Sequence, residues 1–154
     1  MPLSDLIDTR SVVGVLRPTS KKQLLQLMAE RAAERTGMDG RGIFDALLAR
    51  EKLGSTGVGH GVAIPHAKLP KLPGIVGLFA RLERPIEYEA LDDEPIDLVF
   101  LLLAPEQAGA EHLKALARVS RILRDKATAS RLRGTFDPDA LFSILHNQGH
   151  QSAA

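Results

Sequence analysis

The sequence contains no cysteine, and that absence removes a disulfide framework, a thiolate zinc site and any cysteine nucleophile within the chain. It has no apolar run near the ~20 residues that a bilayer-spanning helix needs, and its opening MPLSDLIDTR lacks the basic-then-apolar layout of a secretory signal. The expected location is therefore cytoplasmic, without direct membrane insertion. A strong charge of one sign is missing too. Twenty Lys and Arg against 19 Asp and Glu leave a formal net charge of +1, interleaved along the chain, so no global field draws it to nucleic acid. No internal repeat or low-complexity linker divides it.

What is present fits one globular domain with a real core: 154 residues, 44% hydrophobic and 25% charged. The domain is expected over residues 1–148, with 149–154 as a disordered tail. Helical and extended signals alternate, which predicts an α/β fold. SVVGVL (Ser11 to Leu16) reads as a first strand that Pro18 prevents from running on. Ser20 with Gln23 has capping-box spacing and opens a helix whose apolar stripe is Leu24, Leu25, Met28 and Ala32, ending near Gly37. Asp39 caps the next, which buries Ile43, Leu47 and Leu48, carries Arg50 and Glu51 in its last turn and stops at Gly54.

Three extended runs follow: GVAIPHAK (Gly61 to Lys68), IVGLFARL (Ile75 to Leu82) and DLVFLLLAP (Asp97 to Pro105). The last is nearly all apolar and is expected at the sheet centre, covered on both faces. Beyond Pro105 and Gly109, Leu113, Leu116, Ser120 and Leu123 recur at helical spacing, with His112 in the first turn. Asp137-Pro138 opens a final helix that buries Leu141, Ile144 and Leu145.

The stretch GSTGVGHGVAIPHAK (Gly54 to Lys68) stands out. Its glycines at 54, 57, 59 and 61 permit close approach to the main chain. Yet it lacks the GKS or GKT ending of a phosphate loop and leads into an extended run instead of a helix, which disfavours nucleotide binding. What it does supply is a held histidine. Pro65 locks its own φ and biases Ile64 towards extended backbone, so His66 sits on a stiff stem. Histidine is largely neutral and nucleophilic near neutral pH. His60 and His66 do not make a metal pair, because six extended residues span ~20 Å.

The run REKLGSTGVGHGVAIPHAK, Arg50 to Lys68, resembles the active-site segment of enzyme IIA proteins of the fructose/mannitol family of the bacterial phosphotransferase system, most closely the nitrogen-regulatory branch. The similarity continues through ERPIEYEALDDEPIDLVFLLLAP (Glu83 to Pro105) and the EHL at Glu111 to Leu113. It implies a small mixed β-sheet flanked by helices, with His66 near a sheet edge and Arg50 and His112 arriving from two different helices. It further implies that His66 accepts a phosphoryl group at Nε2 from the phosphohistidine of an HPr-like phosphocarrier protein, with no metal and no cofactor. Arg50 and His112 would clamp the phosphoryl group, and Ser55 and Thr56 are candidates for added hydroxyl contacts.

In that family the next carrier, IIB, typically receives the group on cysteine, and this chain has neither such a residue nor room for such a domain. The resemblance therefore implies a regulator whose phosphorylation state is read by target proteins such as sensor kinases or potassium transporters. Lys68, where sugar branches often carry threonine, points the same way; His60 is a loop substitution where the nitrogen branch often has asparagine. Two alternatives stand beside this reading: a sugar-specific IIA subunit passing phosphate to a separate IIB protein, and an interaction domain that is never phosphorylated. Lys68 and Lys71 read as solvated charges at a docking rim.

Overall fold

The run Leu98 to Ala104 has no charged or turn-forming residue, and in the computed structural model, which describes residues 3–151, every one of its side chains is fully buried. It forms the middle of strand β6 (Ile96–Pro105). Alternate residues point to opposite faces of a strand. Val99, Leu101 and Leu103 accordingly enter one hydrophobic core and Leu98, Phe100 and Leu102 the other.

Around β6 the sheet is mixed, in the order β1-β5-β6-β3-β2 with β4 also pairing β6. Strand β1 (Val12–Leu16) runs parallel to β5 (Val76–Ile86), which is antiparallel to β6. Strands β3 (Val62–Ala63) and β4 (His66–Leu69) both lie parallel to β6, and β2 (Gly57–Gly59) is antiparallel to β3. The two-residue turn between β2 and β3 is His60–Gly61, both at positive φ, 58° and 77°. Hairpins use that I′-type geometry because its twist matches the flanking strands, and Asn-Gly is its favoured pair.

One face of the sheet is covered by helices α1 (Lys21–Thr36) and α2 (Gly40–Leu53), which contribute Leu24, Leu25, Met28, Ile43 and Leu47. The expected caps are in place: Ser20 accepts from the Gln23 N–H at 3.1 Å and Asp39 from the Gly42 N–H at 3.1 Å. The other face is covered by α3 (Ala110–Arg124), α4 (Lys126–Arg133) and α5 (Pro138–Gln151), with Val119, Leu132, Leu141 and Leu145 meeting Phe79 and Phe100.

Four sequence expectations differ from the structure. GVAIPHAK is two short strands broken at Ile64–Pro65. Both nevertheless follow β6 in unchanged register, Val62 opposite Leu98 and His66 opposite Leu102, because the Pro65 carbonyl still accepts from the Leu102 N–H at 3.0 Å. Helix α3 buries His112, Ala115, Val119, Ile122 and Leu123, while Leu113 is 67% exposed and Leu116 half-buried. The stripe is turned by one residue, about 100°, from the line through the leucines. Helix α4, short and polar as KATASRLR, carries no apolar periodicity to announce it; its signal is Asp125, which accepts from both the N–H and the hydroxyl of Thr128. Finally, α5 continues through Gln151, so the first three residues of the expected tail are helical; residues 152–154 lie outside the described part.

Candidate active site

His66 begins β4, on the edge of the sheet that β3 leaves open beyond Pro65. Its Nδ1 lies 2.8 Å from the Ile64 carbonyl oxygen. A carbonyl only accepts, so Nδ1 carries the proton and Nε2 of the neutral ring holds the free lone pair. The extended backbone imposed by Pro65 places that carbonyl within reach of the ring two residues on. Sequence supplied the stem; the structure shows that the stem also selects the tautomer.

Arg50, in the last turn of α2, donates from Nε to His66 Nε2 at 3.2 Å and from Nη1 to the Gly54 carbonyl at 2.9 Å. The guanidinium is thereby anchored at one end to its own helix terminus and aimed with the other at the imidazole. His112, buried in the first turn of α3, faces His66 with ring centroids 5.4 Å apart and planes tilted by 53°. Its Nδ1 is buried without a hydrogen-bond partner. The three residues arrive from two helices and a strand, as the resemblance implies, and meet around one concavity.

Burial pushes the His66 pKa below its ordinary 6.5, the Arg50 charge pushes the same way, and the Ile64 hydrogen bond and the Glu51 carboxylate act in opposition. His112 is also lowered, first by burial and then by His66 and Lys68. Both rings are therefore held neutral where an unburied histidine would begin to protonate. The concavity holds about 530 Å3 and is mostly apolar: Ala46, Ala49 and Leu116 line it, and the exposed Leu53 and Leu113 stand at its rim with Lys68. The rotation of α3 that sequence spacing missed is what turns Leu113 and Leu116 to this side.

Ser55 and Thr56 are not brought to these three. Thr56 is buried, and its hydroxyl lies 2.5 Å from Glu51 Oε2 and 2.9 Å from the Tyr88 hydroxyl. The Ser55 hydroxyl accepts from the Gly57 N–H at 3.1 Å and donates to the Tyr88 carbonyl at 3.4 Å, satisfying its own turn. What sequence reasoning missed is the group beneath the loop. Buried Glu51 accepts from Lys21 Nζ at 3.1 Å and from the Thr56 N–H at 2.9 Å, with Tyr88 closing the network. Burial and the Glu51 charge together push the Tyr88 phenol well above its usual range. The only sequence signal was a glutamate one residue from Arg50, facing 100° away on the helix. Lys71 is exposed and lies off the concavity; His60 is at the β2–β3 turn; among the described residues no cluster of three His, Cys, Asp or Glu is arranged to hold a metal.

A helix-end arginine, a strand-edge histidine and a second histidine from a facing helix thus meet at one concavity. The family described as "Phosphoenolpyruvate-dependent sugar phosphotransferase system, EIIA 2" matches residues 5–148. The chain belongs to this type 2 enzyme IIA family, in its nitrogen-regulatory branch. A nitrogen regulatory protein of Bradyrhizobium diazoefficiens is 58% identical over 145 residues, which cover 94% of this chain and 95% of the relative. The crystal structure of the nitrogen regulatory protein IIA-Ntr from Neisseria meningitidis superposes with a TM-score of 0.87 at 31% identity, over 93% of this chain and 98% of that one. The Escherichia coli mannitol IIA shares the fold, with a TM-score of 0.76 at 19% identity over 90% of this chain and 98% of that one.

Proposed function

We propose that the chain is a phosphoryl carrier in which His66 Nε2 accepts the group from a phosphohistidine of an HPr-like phosphocarrier protein, and that its phosphorylation state regulates partner proteins. The observation that carries this reading is the Nδ1–Ile64 hydrogen bond, 2.8 Å, which leaves the Nε2 lone pair pointing at Arg50 and the open concavity. In the transfer, that lone pair forms a bond to phosphorus as the donor's N–P bond breaks and its electron pair returns to the donor imidazole. Such a reaction needs alignment and neutralisation of the equatorial oxygens more than proton transfer. Arg50 leaves Nε2 and turns its always-charged, planar donors to those oxygens. His112, whose ring faces His66, supplies a further donor from across the site.

Depressed pKa values favour the step, since a protonated His66 has no lone pair to attack with. The exposed Leu53 and Leu113 give the carrier an apolar rim to dock against, which excludes water from the reacting atoms. Once formed, the phosphohistidine places a dianionic group with strong acceptors at the middle of that face, and this makes or breaks an interface without refolding. In this reading the state is read in the cytoplasm by target proteins such as sensor kinases or potassium transporters; what supports a regulatory role is the likeness to proteins named nitrogen regulatory protein.

The test is intact mass after incubation with phosphoenolpyruvate, enzyme I and the phosphocarrier. One acid-labile phosphate in the wild type and none in His66→Ala is expected. An uncharged wild type beside a fully charged carrier overturns the proposal in favour of an interaction domain. Onward transfer to a cysteine-bearing IIB protein would identify a sugar-specific subunit instead.

A further inference from the structure

His60 has no part in the site above, and its placement is unusual. It is a non-glycine residue at φ 58°, a region such residues seldom occupy. Its backbone is held on both sides: the N–H donates to Asp92 Oδ2 at 3.0 Å, and the carbonyl accepts from Arg133 Nη2 at 2.8 Å. The ring is left exposed without a hydrogen bond at the mouth of a second concavity of about 510 Å3. Arg124 from the end of α3, Lys126 and Ser130 from α4, and Arg133 complete its polar wall, over an apolar floor of Leu123 and Ala129.

Much of the charge in this concavity is unspent. Arg124, Lys126 and the Ser130 hydroxyl make no hydrogen bond or ion pair with any described residue. Arg133 uses Nε and Nη2 on Asp97 and His60, leaving Nη1. The nearby carboxylates Asp97, Asp125 and Asp92 are already engaged, Asp97 by Arg133, Asp125 by Thr128, and Asp92 by the backbone N–H groups of His60 and Glu94. Cationic groups from α3 and α4 therefore converge on one volume beside the exposed His60 ring, and among the described residues Arg124 and Lys126 meet no internal anion there.

We infer that the concavity beside His60 is a binding site for a phosphate-bearing small group, a phosphomonoester or diphosphate on a carbon skeleton. Arginine offers planar paired donors and lysine a point charge, the combination that suits phosphate oxygens. The volume falls within the roughly 300–1,000 Å3 of small-molecule sites, and the floor of Leu123 and Ala129 gives the ligand's apolar part a surface to lie on. A nucleic acid strand is disfavoured, because no Phe, Tyr or Trp lines the wall and the His60 imidazole is a single ring, not a platform for successive bases. The site is separate from the active site: Arg124 and His112 are 12 residues apart on α3, or ~18 Å along the axis.

The experiment titrates isotope-labelled full chain with ADP, and in parallel with inorganic pyrophosphate, following backbone amide shifts at fixed ionic strength. Saturable shifts confined to residues 60–61 and 123–133 are expected. In Arg124→Ala/Lys126→Ala the dissociation constant should rise about tenfold or more, as charged hydrogen bonds are lost, while phosphate incorporation at His66 is unchanged. His60→Asn, which keeps the turn, should weaken binding less. Vesicles containing phosphatidic acid form a third arm. Binding there alone, lost in the double variant, assigns the same pocket to a lipid phosphate instead of a soluble one. Absence of saturable shifts with either soluble probe and of vesicle binding overturns the inference, as do shifts of equal size in the double variant.

Discussion

Two histidines, six residues apart in one glycine-rich stretch, are held in opposite ways. His66 has its ring fixed, by the Ile64 carbonyl on one nitrogen and Arg50 on the other, while its backbone is an ordinary strand. His60 has its backbone fixed, by Asp92 and Arg133, in a left-handed turn, while its ring is free. The concavities they border are nearly equal in size, about 530 and 510 Å3. One is apolar and keeps its imidazoles neutral; the other is cationic and leaves Arg124 and Lys126 unpaired among the described residues. Residue type alone therefore does not assign chemistry to a histidine. The partners of its two nitrogens, and the dielectric around them, do.

The largest effect expected from breaking this contrast is all-or-none. His66→Ala abolishes acid-labile phosphate in the mass assay and His60→Asn leaves it at the wild-type level; the reverse pattern would exchange their roles. Next comes the clamp. Arg50→Ala should slow phosphoryl transfer by about 10²–10³-fold, the scale for removing one preorganised donor to developing charge, with Arg50→Lys recovering only part because it lacks the planar fork. A single-turnover assay with phosphorylated carrier reads both.

Smaller, and on stability, is Glu51→Ala. It removes the nearer of the two carboxylates that Lys21 faces, leaving Glu89 at 3.8 Å, and the acceptor for Thr56, in a pair whose side chains are 21% and 4% exposed. A cost of about 3 kcal/mol in denaturant unfolding is expected, the low end for breaking a buried pair. A change below about 0.5 kcal/mol, the level of ordinary surface substitutions, would show that the loop holds its shape without the network. Retained stability with slowed transfer would show instead that Glu51 acts through His66.

The smallest effect is the pH dependence. His66 and His112 both have folded pKa values below the ordinary 6.5. Between 6.5 and those folded values the unfolded chain binds more protons than the native one, so stability falls as pH drops through that window and is flat above it. His66→Gln/His112→Gln should flatten the decline. Imidazole NMR titration of the wild type checks the direction site by site, and a midpoint above 6.5 for either ring would contradict the burial argument.

Much was readable before any coordinates. β6 announced itself because a strand covered on both faces needs apolar residues at successive positions, and Leu98 to Leu103 supply them. The N-caps of α1, α2 and α5 were legible because capping is a contact between residues three apart. His66 on its stem followed from Pro65, whose ring constrains the backbone locally, and Arg50 and His112 followed from the pattern REKLGSTGVGHGVAIPHAK with its later EHL.

By itself, then, the sequence determined most of the elements, the central strand, the family and three of the residues that line the site. Only the tertiary structure decided which way α3 turns, because Leu113 and Val119 compete for the core on equal terms until β6 and α5 take Val119. It alone decided that Thr56 faces Glu51 and Tyr88 instead of the concavity, since those partners are five and 32 residues away. And it alone drew Arg124, Lys126 and Arg133 to His60. Local signals are written in neighbouring residues; the burial of a carboxylate and the convergence of charges depend on contacts between distant segments, which exist only once the sheet has brought them together.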